Sequence, residues 1–116
     1  MNHEERPWGS YQILHQEKGI QVKRIEIKPG TRFSLQKHLR RFEKWVVISG
    51  FGIVTLGQKE IPVHQGSFID VPLGEIHRMQ NTGKDPLVFF EVGLGDYLGE
   101  DDIMRLEDDF NRAKKH

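Results

Sequence analysis

Two stretches of the chain carry side chains that can bind a metal ion. Gln36 and His38 are separated by one residue and precede Glu43. His77 follows a Pro-Leu-Gly turn at 72–74. Because alternate residues of a β-strand share a face, Gln36 and His38 are predicted to point inward together, and the next strand can return Glu43 to the same point. Two imidazoles, one carboxylate and one amide oxygen would then surround part of a divalent cation. The positions left for water or substrate indicate metal-assisted catalysis rather than a structural metal.

The size and composition of the chain limit the function classes. Its 116 residues (13.5 kDa), 36% of them hydrophobic, suffice for one core, and we expect a single domain over residues 1–116. The 17 basic and 17 acidic residues balance, so no nucleic-acid partner is expected. Cysteine is absent, which excludes disulfides, thiolate metal sites and a cysteine nucleophile. No apolar run approaches the roughly 20 residues of a membrane span, and we expect a soluble, cytoplasmic protein.

Glycine and proline divide the chain into short segments rich in Val, Ile and Phe, which are typical of an antiparallel sandwich or barrel. The sequence predicts strands at 20–28, 43–49, 52–56, 60–64, 67–71 and 87–92. The run 45–48 is apolar on both faces, which favours a central strand. The predicted fold class is therefore all-β, with a barrel over about residues 8–96.

The end of the chain has a different pattern. Ile103, Leu106 and Phe110 recur at steps of three and four residues, as on one face of an α-helix. Acidic residues at 101–102 precede them and lysines at 114–115 follow, which suits the helix dipole. The sequence predicts a C-terminal α-helix over about residues 101–113, packed on the sheet or on a second subunit.

Both metal-binding stretches resemble the two signature motifs of the cupin superfamily. The first motif has Gly, five residues, a His-x-His pair, and then Glu and Gly; its counterparts here are Gly30, Gln36, His38, Glu43 and Gly50. The second motif has Gly, five residues, Pro-x-Gly, two residues, His, three residues and Asn, and residues 66–81 match every fixed position. Gln36 is the one departure, because most cupins have His there. The resemblance implies a cupin barrel, which is a double-stranded β-helix or jelly roll.

One cupin branch, the type II phosphomannose isomerases, resembles the chain from about residue 6 to residue 112. The shared text includes Arg-Pro-Trp-Gly at 6–9, Ser-Leu-Gln at 34–36 and Tyr-Leu-Gly-Glu-Asp-Asp-Ile at 97–103. Members of this branch have Gln-x-His in the first motif. Their cupin domain often follows a mannose-1-phosphate guanylyltransferase domain. The glycine-rich nucleotide loop of such a domain does not occur in this sequence. The resemblance implies a metal-dependent isomerase that converts mannose 6-phosphate to fructose 6-phosphate. The metal ligands it implies are Gln36, His38, Glu43 and His77.

Some positions depart from the branch. Leu39, Arg40 and Lys44 stand where its members usually have histidines, and this affects the substrate more than the metal. The expected cofactor is one divalent metal ion. Because the amide of Gln36 is a weaker donor than imidazole, a redox-silent ion is favoured, with zinc first and cobalt, nickel or manganese as alternatives.

The isomerisation also needs a proton carrier and a phosphate site. Lys23 and Glu91 lie on predicted strands that can face the cavity, and they are the candidate catalytic residues. Arginine offers a planar fork that holds phosphate oxygens, and this favours arginines near the metal ligands. The candidate substrate-binding residues are Arg41 and Arg40, then Arg78, and Tyr97.

Two other functions remain open at this point. The first is a non-catalytic sugar-binding or accessory cupin module, which the replaced histidines and the missing guanylyltransferase sequence favour. An iron-dependent oxygenase is the second, because similar shells of His and carboxylate bind iron.

The expected partners are a small sugar phosphate and a second copy of the chain, without nucleic acid or membrane. The homodimer is expected to use the N-terminal strand around residues 11–14, because sheet edges invite pairing.

Overall fold

Short apolar segments between turns form β-strands because alternating side chains bury one face of each. The computed structural model describes residues 3–110, and within them it contains eleven strands and no helix that could cross a membrane. The strands are β1 (His3–Arg6), β2 (Gly9–Glu17), β3 (Ile20–Ile27), β4 (Leu35–Lys37), β5 (Arg41–Ser49), β6 (Gly52–Leu56), β7 (Lys59–Val63), β8 (Phe68–Val71), β9 (His77–Asn81), β10 (Leu87–Gly95) and β11 (Met104–Glu107).

The strands form two antiparallel sheets that enclose one core. The six-stranded sheet has the order β1-β2-β3-β10-β5-β8, and the five-stranded sheet has the order β11-β4-β9-β6-β7. Trp45 and Phe89 of the first sheet and Val54 and Met79 of the second are fully buried in a single apolar cluster. The two sheets therefore pack face to face, with their inward side chains between them.

All six predicted strand segments are confirmed, since they overlap β3, β5, β6, β7, β8 and β10. Strand β5 lies between β10 and β8, which is the internal position expected for the run 45–48. Its two faces differ, however: Trp45 and Val47 are buried, whereas Val46 and Ile48 are exposed on the outside of the barrel. Apolar residues on both faces of this strand therefore do not mean burial on both faces.

The C-terminal segment contains a strand where a helix was predicted. Met104–Glu107 forms β11, which pairs with β4. The helix prediction was wrong for residues 101–110, and residues 111–113 lie outside the described part of the chain. The spacing of Ile103, Leu106 and Phe110 suits a helix, but the backbone of β4 offers hydrogen bonds along its outer edge, and pairing with them favours an extended chain.

The N-terminal edge of the six-stranded sheet also differs from the expectation. Tyr11 and Gln12 of β2 pair with Glu4 and His3 of β1 on one side and with β3 on the other. At these two positions the sheet edge therefore lies on β1. The homodimer expected through residues 11–14 stays a prediction. Because Tyr11 and Gln12 are already paired on both sides, a second chain could not pair with their backbone at the sheet edge.

Candidate metal centre

Three buried side chains meet at one end of the core. Nε2 of His38 lies 3.5 Å from Oε2 of Glu43, and Nε2 of His77 lies 3.9 Å from Oε1 of the same carboxylate. One ligand atom from each residue lies within 4.8 Å of the other two. The side chains are 5%, 1% and 1% exposed for His38, Glu43 and His77. Three of the four predicted metal ligands are thus within reach of a single ion.

Both sheets contribute to this cluster. Glu43 lies in β5 of the six-stranded sheet, His77 begins β9 of the five-stranded sheet, and His38 follows β4 directly. The amide of Gly74 donates a hydrogen bond to the carbonyl oxygen of His38 at 2.9 Å. Gly74 has a φ of 75°, a conformation that glycine adopts without steric cost. This turn therefore ties the loop that carries His38 to the segment that leads into His77.

Gln36 faces the same space as the histidines. Gln36 on β4 is the Cα partner of His77 on β9, and residues directly opposite each other on antiparallel strands share a face. Both residues line one cavity together with His38. The hydroxyl of Ser34 donates to Oε1 of Gln36 at 3.5 Å. The fourth predicted ligand therefore lines the cavity beside both histidines, and its amide oxygen can bind a metal ion.

Backbone carbonyls orient both imidazole rings. Nδ1 of His38 donates to the carbonyl oxygen of Asp102 at 2.5 Å, and Nδ1 of His77 donates to the carbonyl oxygen of Glu75 at 2.9 Å. A carbonyl oxygen can only accept, so each Nδ1 carries the hydrogen and each Nε2 keeps a lone pair. Outer hydrogen bonds of this kind are typical of histidines that bind metal ions.

Aromatic side chains surround the inner side of the cluster. The centre of the His77 ring lies 5.5 Å from that of Trp45 and 6.4 Å from that of Phe33, in edge-on contacts. The indole Nε1 of Trp45 donates to Oε1 of Glu43 at 3.0 Å. These contacts help to hold both the imidazole and the carboxylate in position.

Burial sets the charge of the cluster. It lowers the pKa of His38 to about 4 by disfavouring the imidazolium form, and it lowers the pKa of His77 for the same reason. Burial alone would raise the pKa of Glu43, but His77, His38 and Arg41 lower it to about 2. At neutral pH the cluster therefore consists of two neutral imidazoles and one carboxylate, the protonation states that bind a metal ion.

Arg41 lies against two of the potential ligands. Its Nε donates to Oε2 of Glu43 at 2.8 Å, and one of its terminal nitrogens donates to Nε2 of His38 at 3.2 Å. A cationic side chain therefore already contacts two atoms of the predicted ligand set.

The donor atoms of the four predicted ligands suit a metal ion. Two imidazole nitrogens, a carboxylate and an amide oxygen form a donor set that suits zinc and similar divalent ions. The residues present fit a divalent metal ion.

The two candidate catalytic residues line the same cavity. Lys23 on β3 and Glu91 on β10 are Cα partners, and Nζ of Lys23 donates to Oε2 of Glu100 at 2.5 Å. Burial and the nearby Glu43 raise the pKa of Glu91 to about 8, although Lys23 and Arg41 oppose this shift. Burial alone would lower the pKa of Lys23, but Glu91 and Glu100 raise it. The cavity thus combines a cationic amine with a carboxyl group that titrates near neutral pH.

The candidate substrate-binding residues separate into two groups. Arg41 lines the cavity, whereas Arg40, Arg78 and Tyr97 lie elsewhere. The guanidinium carbon of Arg40 lies 4.8 Å from the centre of the exposed Tyr97 ring. Arg78 donates to a backbone carbonyl and to a glutamate away from the cavity. Arg78 follows the inward-facing His77 in β9, and strand alternation directs it to the opposite face.

Four polar residues at the cavity were missed by the sequence analysis. Arg6, Glu100 and Arg105 line it, and the carbonyl of Asp102 binds His38. Arg105 was placed in the predicted helix, which concealed its position on the strand beside β4. The text at 97–103 shared with phosphomannose isomerases was the available signal for Glu100 and Asp102.

Comparisons with known proteins place this barrel in a family. Residues 1–108 match the family model described as mannose-6-phosphate isomerase C-terminal. The xanthan biosynthesis protein XanB of Xanthomonas campestris is 47% identical over 108 residues, which cover 93% of this chain and 23% of XanB. A mannose-1-phosphate guanylyltransferase of Klebsiella pneumoniae is 40% identical over 108 residues, again 93% of this chain and 23% of the relative. The chain spans less than a quarter of the length of these relatives.

A solved structure shows the same fold. A Klebsiella pneumoniae protein with a double-stranded β-helix domain superimposes with a TM-score of 0.72 at 21% identity, covering 83% of this chain and 82% of that protein. The prediction of a cupin barrel is therefore confirmed. Since the family model covers nearly the whole chain, the chain belongs to the mannose-6-phosphate isomerase C-terminal family.

Proposed function

We propose that the chain is a metal-dependent aldose–ketose isomerase that converts mannose 6-phosphate to fructose 6-phosphate. The observation that carries this proposal is a single cavity lined by three of the predicted metal ligands, with Glu43 adjoining them, and by the opposed pair Lys23 and Glu91. The family match supports a mannose phosphate as the substrate. A relative named mannose-1-phosphate guanylyltransferase supports it too, because its name refers to another mannose phosphate.

The reaction moves a proton between two neighbouring carbons of the open-chain sugar through an enediolate. A divalent ion supplies Lewis-acid stabilisation of the negative charge that develops on the sugar oxygens. We propose Gln36, His38, Glu43 and His77 as the residues that hold this ion, and a redox-silent ion such as zinc as its identity. The neutral imidazoles and the ionised Glu43 are ready to bind without first losing protons.

Glu91 and Lys23 are the proposed proton-transfer residues. A general base is most effective when its pKa lies near the working pH, and the pKa of Glu91 is raised to about 8. When it ionises, its carboxylate is a stronger base than an ordinary glutamate. Lys23 lies opposite it with its positive charge retained, and this ammonium group can donate hydrogen bonds to the oxygens of the sugar.

The test is a coupled assay for fructose 6-phosphate formed from mannose 6-phosphate, with the protein loaded with zinc, cobalt, nickel or manganese in turn. We expect turnover that a chelator abolishes and that added metal restores. Glu91→Gln should lower kcat by about 10²- to 10⁴-fold, the usual contribution of a positioned acid–base group. Glu60→Gln, at an exposed position of strand β7, is the matched control.

Failure of every metal-loaded form to turn over mannose 6-phosphate would refute the proposed isomerase. If such a protein still bound the sugar phosphate, it would be a binding module instead. Oxygen uptake by the iron-loaded protein would identify an oxygenase.

A further inference from the structure

Two arginines line the cavity outside the metal cluster and outside the predicted phosphate site. Arg6 ends β1, and Arg105 lies in β11. They come from opposite ends of the chain and from different sheets, yet both border the space that contains Gln36 and His38. Neither residue has a role in the proposed proton transfer.

Strand register places Arg105 at a defined distance from the metal cluster. Arg105 is the Cα partner of Gln36, and Gln36 is the Cα partner of His77. The three residues therefore form one row across β11, β4 and β9 that faces the cavity. At about 4.8 Å between neighbouring strands, the backbone of Arg105 lies roughly 10 Å from that of His77. An extended hexose phosphate has a comparable length, so one end can reach the metal ligands while the other reaches Arg105.

Arg6 joins a second cation at the ring of Tyr11. The guanidinium carbon of Arg6 lies 5.1 Å from the ring centre, and Nζ of Lys23 lies 4.5 Å from it. A terminal nitrogen of Arg6 also donates to the Tyr11 hydroxyl at 3.3 Å. Its acidic neighbour, Glu4, is half exposed and lies 3.7 Å away. Tyr11 thus holds two positive charges beside the cavity.

Among the described residues, more cations than acids line the cavity. Its cations are Arg6, Lys23, Arg41 and Arg105, and its ionisable acids are Glu91, Glu100 and the adjoining Glu43. A divalent metal ion would increase this excess further. Four other arginines of the described residues form ion pairs outside the cavity lining: Arg24 with Glu26, Arg32 with Asp109, Arg40 with Asp96, and Arg78 with Glu107.

We propose that Arg6 and Arg105 form the phosphate subsite of this cavity and hold the phosphate group of a sugar phosphomonoester. Arg41 is committed to Glu43 and His38, so it orders the metal cluster rather than the phosphate. This inference rests on the proposed function for the identity of the sugar, but the subsite itself depends only on a phosphomonoester dianion. Guanidinium groups bind such dianions through paired, charge-assisted hydrogen bonds.

Calorimetric titration of the metal-loaded chain tests the subsite. The ligands are mannose 6-phosphate and fructose 6-phosphate, with unphosphorylated mannose and fructose as the matched pair. We expect Arg6→Gln and Arg105→Gln each to weaken sugar-phosphate binding by about 10- to 100-fold, the usual effect of losing hydrogen bonds to a charged group. Arg24→Gln removes the same charge from outside the cavity and should leave binding within about twofold of the parent.

Binding of both phosphates at parent strength by Arg6→Gln and Arg105→Gln would overturn the subsite. A loss no larger than that of Arg24→Gln would overturn it as well. Arg105→Lys retains charge without the planar fork, and we expect it to recover part of the lost affinity. If Arg105→Gln does not fold, as judged by its thermal transition, Arg105→Lys and Arg6→Gln still decide the question.

The subsite and the isomerase can fail separately. Arginine-dependent binding of both sugar phosphates without turnover would support the subsite and refute the isomerase. Turnover whose KM is unchanged in both arginine variants would support the isomerase and overturn the subsite.

Discussion

Lys23 and Glu91 lie directly opposite each other on β3 and β10, and both are buried at the cavity. Lys23 binds Glu100 through its ammonium group, while Glu91 also experiences the charges of Glu43 and Arg41. The pair therefore does not behave as a simple ion pair. Burial and the neighbouring Glu43 keep the proton on Glu91 at neutral pH, which couples the protonation of this residue to the stability of the barrel.

The first prediction concerns the pH dependence of stability. The pKa of Glu91 is raised from 4.5 to about 8 in the folded chain, so across this window the unfolded chain binds fewer protons at this residue. The contribution of Glu91 to the free energy of unfolding must therefore fall as pH rises from 4.5 to 8. Glu91→Gln lacks this dependence. Urea unfolding at pH 5.5 and 8.5 should show the variant gaining stability relative to the parent at the higher pH.

Glu60→Gln is the control for this measurement, because Glu60 is exposed. Its stability relative to the parent should stay constant between the two pH values. A constant difference for Glu91→Gln as well would contradict the raised pKa of Glu91.

The second prediction concerns the metal ligands. His38→Gln should lower the affinity for zinc by more than about 100-fold, because losing only an outer partner of a ligand costs roughly 10- to 100-fold. His15→Gln is the matched control: His15 is exposed and contacts Glu17 at 2.9 Å, away from the cavity. Competition with a metal indicator measures both affinities. Equal affinities in the two variants would place the ion elsewhere.

The third prediction concerns the loop that supports His38. The carboxylate of Asp102 accepts hydrogen bonds from the backbone amides of Leu39 and Arg40 at 3.1 and 3.0 Å, and its carbonyl accepts from His38. Asp102→Ala retains the carbonyl but releases both amides, so zinc affinity should fall by about 10-fold or more. Metal competition measures this loss. Asp101→Ala, which removes a partner of Tyr97, should change it much less, and an equal loss in both variants would contradict this role.

The fourth prediction concerns Arg41. Arg41→Ala leaves the buried carboxylate of Glu43 without its cation, and breaking such a pair typically costs about 3–5 kcal/mol. We expect this loss in denaturant unfolding of the metal-free protein and a smaller loss once zinc neutralises Glu43. Arg24→Ala breaks the more exposed pair with Glu26 and should cost about 0–1 kcal/mol. If zinc does not reduce the loss of stability caused by Arg41→Ala, then zinc does not neutralise the carboxylate that Arg41 neutralises.

Local patterns predicted much of this molecule. The strands follow from short apolar runs between turn residues, and the candidate ligands follow from two compact motifs whose spacing survives in the sequence. His38 and His77 nevertheless come together only because β4 pairs with β9 and because Gly74 binds the carbonyl of His38. The resemblance of the two motifs to those of cupins predicted that these histidines lie close together. The pairing of β4 with β9 cannot be read from either segment alone.

The remaining features depend on contacts between distant segments. Residues 104–107 are extended because β4 offers them hydrogen bonds, and the spacing of Ile103, Leu106 and Phe110 contains no information about β4. Arg105 reaches the cavity for the same reason. Asp102 accepts hydrogen bonds from the ring of His38 and from the backbone amides of Leu39 and Arg40, and such contacts do not require a recognisable spacing.

The division of the ligands between the sheets has a consequence for how the barrel opens. Glu43 belongs to one wall and His77 to the other, with Gln36 beside His77. An ion held by all of them would link the two sheets and oppose their separation at that end. Removing the ion would therefore let the two sheets separate more readily at that end.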